Sequence, residues 1–134
     1  MPQDCLFCKI ISGEVPSYRI YEDNEHLAVL DIFPINKGQV WITTKNHYTS
    51  KYSLVDDEVL CKLLKVTKKV AQNIENKLEG VERCQIVVEG FHTDHLHFKL
   101  FPAFNPDPAK DAVVHMGEKA SDDVLETMQA KLKM

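Results

Sequence analysis

His95-Leu96-His97-Phe98-Lys99-Leu100 sets a polar residue at every second position with an apolar one between, the pattern of a strand with two chemically opposite faces. Side chains two residues apart on a strand share a face and stand roughly 7 Å apart. His95, His97 and Lys99 therefore line one side, while Leu96, Phe98 and Leu100 point into a core. An imidazole is a nucleophile or metal ligand near neutral pH, and a lysine is a mobile point charge suited to phosphate oxygens. The alternative is a solvated strand face that happens to carry histidines. Three of the six His in the chain (His92, His95, His97) fall within six residues, which favours a site for phosphate chemistry.

Working outward, Tyr18 to Glu22 and Leu27 to Ile32 flank the turn-forming Asp23-Asn24-Glu25, and Gln39 to Thr44 follows the loop from Pro34 to Gly38. These read as three neighbouring antiparallel strands. Cys84 to Val88 and His95 to Phe101 bring the total to about five. Leu6-Phe7 and Ile10-Ile11 recur at helical spacing and stop at Gly13, so a short helix follows the first Cys. Val59, Leu60, Leu63, Val66, Val70, Ile74 and Leu78 keep a 3.6-residue period. With Ser53-x-x-Asp56 as a capping box, they predict a long amphipathic helix from Ser53 to near Gly80, its outer face carrying Lys62, Lys65, Lys68, Lys69 and Lys77. The three prolines from Pro102 to Pro108 are expected to break regular structure. Ser121 caps a last helix, whose Val124, Leu125, Met128 and Leu132 would pack on the domain or on a partner subunit. Strands and helices that do not alternate regularly predict an α+β fold around an antiparallel sheet, as one domain over 1–134 with a core at 5–104 and a tail at 105–134.

A net charge of −4 and an unclustered set of Lys and Arg leave no basic footprint for a polynucleotide, whereas a small nucleotide needs none. No apolar run approaches the roughly 20 residues that span a bilayer, and Met1-Pro2-Gln3-Asp4 is unlike a signal peptide, so no membrane partner and a cytoplasmic location are expected. In a reducing compartment the pair Cys5-x-x-Cys8 reads first as half a metal site, with small buried residues as the alternative.

Four segments in order, Cys5-Leu6-Phe7-Cys8-Lys9-Ile10-Ile11-Ser12-Gly13-Glu14-Val15-Pro16-Ser17, Leu30-Asp31-Ile32-Phe33-Pro34-Ile35-Asn36-Lys37-Gly38, Lys45-Asn46-His47 and His95-Leu96-His97-Phe98, resemble the histidine triad superfamily of nucleotide hydrolases and transferases. The resemblance runs from about Cys5 to Pro102. It implies a hydrolase that cleaves nucleoside phosphoramidates, phosphoanhydrides or esters at the α-phosphate. The middle triad histidine, here His97, forms a nucleotidyl-histidine that water opens, its ring oriented by the backbone carbonyl of His95. It further implies a structural Zn2+ held by Cys5, Cys8, His47 and His95, a purine nucleotide whose ribose meets Asp31 and whose base lies near Ile32 and Ile11 or Phe7, and a homodimer.

The third triad position is Lys99 where the family has His, and Gln39 stands after Gly38 where many members have a further His. Glu89 to Asp94 replaces a longer phosphate-touching loop, with Thr93 offering a hydroxyl and His92 a donor. Lys99 reads either as a phosphate-binding cation with a catalytic part or as an ordinary lysine reaching for water. Trp41 reads as strand packing, and Asp31 also suits a plain turn. These departures keep two other functions open: a nucleotide sensor with little turnover, and a zinc-stabilised dimeric interaction module.

Overall fold

The computed structural model describes residues 4–104 and 118–133. In chain order it contains α1 (Leu6–Ser12), β1 (Arg19–Glu22), β2 (His26–Leu30), β3 (Val40–Thr44), α2 (Asp57–Lys77), β4 (Val81–Val87), β5 (His97–Phe104) and α3 (Asp122–Leu132), with a 3-10 turn at Tyr52–Leu54. The five strands form one antiparallel sheet in the order β1-β2-β3-β5-β4, an α+β fold. The triad strand thus lies inside the sheet, between β3 and β4.

Alternation along each strand sends side chains to two different cores. Ala28, Val40, Ile42, Leu96, Phe98 and Leu100 face α2 and meet its Leu63, Val66, Val70 and Ile74. On the opposite face Phe7, Cys5 and Cys8, and beside them Ile10 with Leu27 and Val29, form two smaller clusters under α1, joined by Ile11 and Trp41. The alternative of a solvated strand face is excluded for the two histidines, because α1 covers them: His95 is 0% and His97 4% exposed.

Several boundaries differ from the sequence expectation, each for a local reason. α2 begins at Asp57 with Asp56 as its N-cap, so Ser53 caps nothing. Tyr52–Leu54 closes its own turn, and Val55 is extended, which separates Ser53 from the helix. The helix ends at Lys77 because Leu78 turns extended, and Gly80, at φ +87°, carries the chain into β4 three residues earlier than expected. β2 stops at Leu30 instead of Ile32, leaving Asp31 at the strand's mouth.

The largest revision is at Pro102, which β5 runs through instead of breaking. Pairing with β3 ends at Leu100, while β4 continues opposite Pro102 through Cys84. The Pro102 carbonyl accepts from Asn36 Nδ2 at 2.8 Å. N–H and C=O of one residue in an antiparallel strand point the same way, so the missing N–H falls on the side that β3 has vacated. Pro106 and Pro108 lie outside the described residues. In α3, Ser121 caps as expected, its Oγ accepting from Val124 N–H, while Val124, Leu125 and Met128 are about half exposed and the side chain of Leu132 lies outside the described residues.

Candidate active site and metal centre

Two thiols one helical turn apart open α1: Cys5 is its N-cap, its Sγ accepting the N–H of Cys8 at 3.3 Å. His47 follows β3, and His95 leads into β5. The tertiary fold brings the four together, their ligand atoms all within 4.8 Å of one another. Nδ1 of His95 lies 3.3 Å from Cys5 Sγ and 3.5 Å from Cys8 Sγ, Nδ1 of His47 lies 3.5 Å from Cys8 Sγ, and the two Nδ1 atoms are 3.1 Å apart. Tetrahedral zinc with its usual N and S bond lengths has ligand-to-ligand edges of about 3.3 to 3.8 Å. The set suits that shell in donor chemistry, with four of its separations at 3.1 to 3.5 Å and all of them within 4.8 Å.

The surrounding groups prepare the donors. Nε2–H of His95 donates to the Thr44 carbonyl at 2.7 Å, which fixes the tautomer and turns the Nδ1 lone pair toward the cluster. Burial pushes His95 down from 6.5 to about 4, so the ring is neutral. Burial, with Cys5 adding to it, pushes the Cys8 thiol up to about 11. A cation at this site has therefore to displace a thiol proton.

One residue pair further along the strand, His97 donates Nδ1–H to the His95 carbonyl at 2.6 Å. Its Nε2 therefore carries the lone pair. Among the described residues the one sealed side-chain N or O without a partner is Ser17 Oγ, so Nε2, to which no hydrogen bond runs, keeps an edge open. The ring rests on Phe7 with centroids 4.6 Å apart and beside Trp41 at 5.8 Å. Burial first, and the Lys99 charge after it, hold the imidazole below its usual range. The arrangement presents an oriented imidazole whose Nε2 lone pair is available for chemistry.

A cavity of about 270 Å³ is lined by Leu6, Ile10, Val29, Asp31, Ile32 and Trp41 among others; His97 is not part of its wall and is connected to it through Trp41. Phe7 and Ile11 pack beneath this surface against Trp41. Asp31 is held by three donors: Phe33 N–H on Oδ1 at 2.8 Å, and Gln39 Nε2 and Trp41 Nε1 on Oδ2 at 2.6 and 2.9 Å. A carboxylate has about four acceptor positions, so Oδ1 retains one for a ligand. Gln39 accepts from Ile35 N–H with its other end, which makes it a strut for this loop.

Lys99 Nζ pairs with Glu89 Oε1 at 2.5 Å and lies 5.7 Å from the Trp41 ring centroid. Thr93 is half-buried and accepts the N–H of His95 on its carbonyl, and His92 is exposed. Sequence reading missed Trp41 and Glu89. Trp41 alternates with Val40 and Ile42 and so shares the face of His97, and a half-buried indole N–H needs an acceptor, which was a legible signal. Nothing in the sequence marked Glu89 as the partner of Lys99.

The profile of the HIT domain matches residues 12–105. The chain belongs to the HIT family. An uncharacterised HIT-like protein of Methanocaldococcus jannaschii is 38% identical over 130 residues, covering 93% of this chain and 96% of that protein. The adenosine 5'-monophosphoramidase of Candida albicans is 35% identical over 137 residues, covering 96% and 89%. A zinc-bound histidine triad family protein of Mycobacterium smegmatis superposes with a TM-score of 0.73 at 25% identity over 86% of this chain and 84% of its own. Adenosine 5'-monophosphoramidases are thus among its HIT relatives. No helix among the described residues of this HIT protein is long and apolar enough to cross a membrane.

Proposed function

We propose that this HIT protein is a nucleotide hydrolase that cleaves purine nucleoside phosphoramidates, or related nucleotide anhydrides and esters, at the α-phosphate. The observation that carries the reading is the hydrogen bond from His97 Nδ1 to the His95 carbonyl, which leaves Nε2 unprotonated on the face it shares with Trp41, a wall of the cavity that holds Asp31. In the first half-reaction the Nε2 lone pair forms an N–P bond as the bond from phosphorus to the leaving group breaks; the leaving group departs with that electron pair and takes a proton from solvent. In the second, water adds to phosphorus, the N–P bond returns its pair to Nε2, and the water proton is released with the nucleotide. Lys99 meets the anionic phosphate oxygens, Asp31 accepts a ribose hydroxyl on Oδ1, and Ile32 lies against the base.

Zinc at Cys5, Cys8, His47 and His95 is structural in this reading: four protein ligands fill a tetrahedron and leave no position for water or substrate. It ties α1 to the strand that carries His97. Four cysteines, none of them in a disulfide, suit the reducing cytoplasm. Incubation with an adenosine phosphoramidate followed by intact-mass measurement tests the function. A nucleotide-sized, acid-labile adduct or released AMP is the expected outcome; AMP capture without product would instead establish a sensor. Absence of both would leave an interaction module built on the exposed face of α3.

Replacement of Asp31 by alanine is expected to weaken AMP binding about tenfold. It also strands the Gln39 amide and the Trp41 N–H, so unfolding stability should fall by about 1–3 kcal/mol. Titration calorimetry and denaturant unfolding read the two effects separately.

The dimer is proposed through β4, an outer strand whose Ile86 is 46% exposed, and α2, whose Leu64 is 50% exposed. Between them lies an apolar hollow of about 500 Å³ also lined by Cys61 and Ala71. A second copy related by a two-fold axis would continue the sheet and cover this surface. Sedimentation should give twice the chain mass, and Leu64→Glu with Ile86→Glu should give the monomer.

A further inference from the structure

We propose that Glu89 is a positioning residue that aims the Lys99 ammonium at the phosphate beside His97, a proposal resting on the nucleotide-hydrolase reading above. Strand register places the parts. Lys99 sits opposite Trp41 on β3 and opposite Val87 on β4, and facing residues in antiparallel strands share a side. Glu89 lies two residues past Val87 and reaches back across β5 to Lys99 Nζ. The same side therefore carries the His97 ring, the Trp41 ring and the ion pair, with the His97 centroid and Lys99 Nζ 5.8 and 5.7 Å from the indole.

Glu89 is itself anchored. Its second oxygen accepts the N–H of Phe91 at 3.2 Å across a tight turn at Gly90, where φ is +64° and a Cβ would collide with Ser50. Ser50 Oγ donates to the Gly90 carbonyl at 3.0 Å and closes the turn. The side chains of Lys99 and Glu89 are 19% and 26% exposed. An exposed ion pair of two mobile side chains contributes about 0–1 kcal/mol and has no fixed direction. This one has a fixed acceptor, a π face under the cation and a nucleophile for a neighbour. A lysine at the third triad position brings a flexible four-carbon stem where an imidazole would be rigid, and Glu89 supplies the restraint that the stem lacks.

The sign of the effect separates this role from plain structural support. Glu89 is an anion close to a phosphate, so it opposes ground-state binding while it improves the aim of the cation in the transition state. Glu89→Gln is expected to bind AMP several-fold more tightly and to lower kcat about 10- to 100-fold with KM unchanged or reduced. Lys99→Met is expected to weaken AMP binding about tenfold and to lower kcat by at least as much as Glu89→Gln. The double variant should turn over no more slowly than Lys99→Met alone, because Glu89 acts through Lys99. Glu89→Asp should recover part of kcat.

The measurements are AMP titration calorimetry and steady-state turnover of an adenosine phosphoramidate by the metal-loaded protein, with thermal unfolding of each variant alongside. AMP binding by Glu89→Gln that is weaker or unchanged, or rate losses that add in the double variant, overturns the role of Glu89 alone. A parent protein that neither binds AMP nor turns over nucleotide overturns the hydrolase reading and this proposal with it.

Discussion

Alanine at position 97 is expected to lower turnover of a nucleoside phosphoramidate by about 10,000-fold or more, the scale on which removal of a covalent nucleophile acts, while AMP affinity stays within about threefold of the parent. The two effects separate because the cavity floor and the nucleophile come from different elements. Leu6 and Ile10 belong to α1, Val29 to β2, Asp31 to the segment just after it, and Trp41 to β3, so the binding surface survives loss of an imidazole on β5. The ring does contribute packing, since it lies on Phe7 and is 4% exposed, and some loss of stability is expected from the cavity left behind. Intact-mass analysis of quenched reactions is the sharper readout: the nucleotidyl adduct should vanish in His97→Ala and persist in Asp31→Ala at raised substrate. Turnover within about tenfold of the parent in His97→Ala would remove this residue from the chemistry.

The second large effect is expected from the metal site. Elemental analysis of untagged protein should give one zinc per chain, and removal by a strong chelator, or the substitution Cys8→Ser, should lower the melting temperature by about 12–20 °C. The magnitude follows from linkage: a ligand free at 1,000 times its dissociation constant stabilises the folded state by about 4 kcal/mol, and each kcal/mol moves the transition of a domain of this size by about 3–5 °C. Activity should fall together with stability, since the four ligands join α1, the segment after β3 and the entry to β5. Losing that clamp frees His95, whose carbonyl orients His97. A melting temperature unmoved by chelation would mean that the two small cores under α1 hold the face closed without a metal.

Much of this was legible from patterning. The split of His95 to Leu100 into two faces, the apolar period of α2, the three consecutive antiparallel strands and the glycine stop after α1 each depend on interactions within a few residues, and each stands in the fold. Local signals failed where a neighbour distant in sequence, or a competing local turn, overrode them. Pro102 reads as a strand breaker, yet it is harmless because β3 ends two residues before its missing N–H would be needed. Ser53-x-x-Asp56 reads as a capping box, yet the 3-10 turn takes Ser53 out of the helix. Trp41 reads as packing, yet its indole N–H holds Asp31 and its ring lies beside both His97 and Lys99.

By itself the sequence determined what is periodic or adjacent: which side chains share a face, where helices and strands begin to within a few residues, and which chemical groups the triad strand offers. Only the tertiary structure decided what those groups meet. It packed α1 over the histidine face and buried His95 and His97, brought thiols and imidazoles some 40 and 90 positions apart to within 4.8 Å of one another, and gave Lys99 its carboxylate. The reason is physical: alternation and periodicity are fixed by backbone geometry at each residue, whereas burial, pairing and charge depend on chain segments whose separation in sequence says nothing of their distance in space.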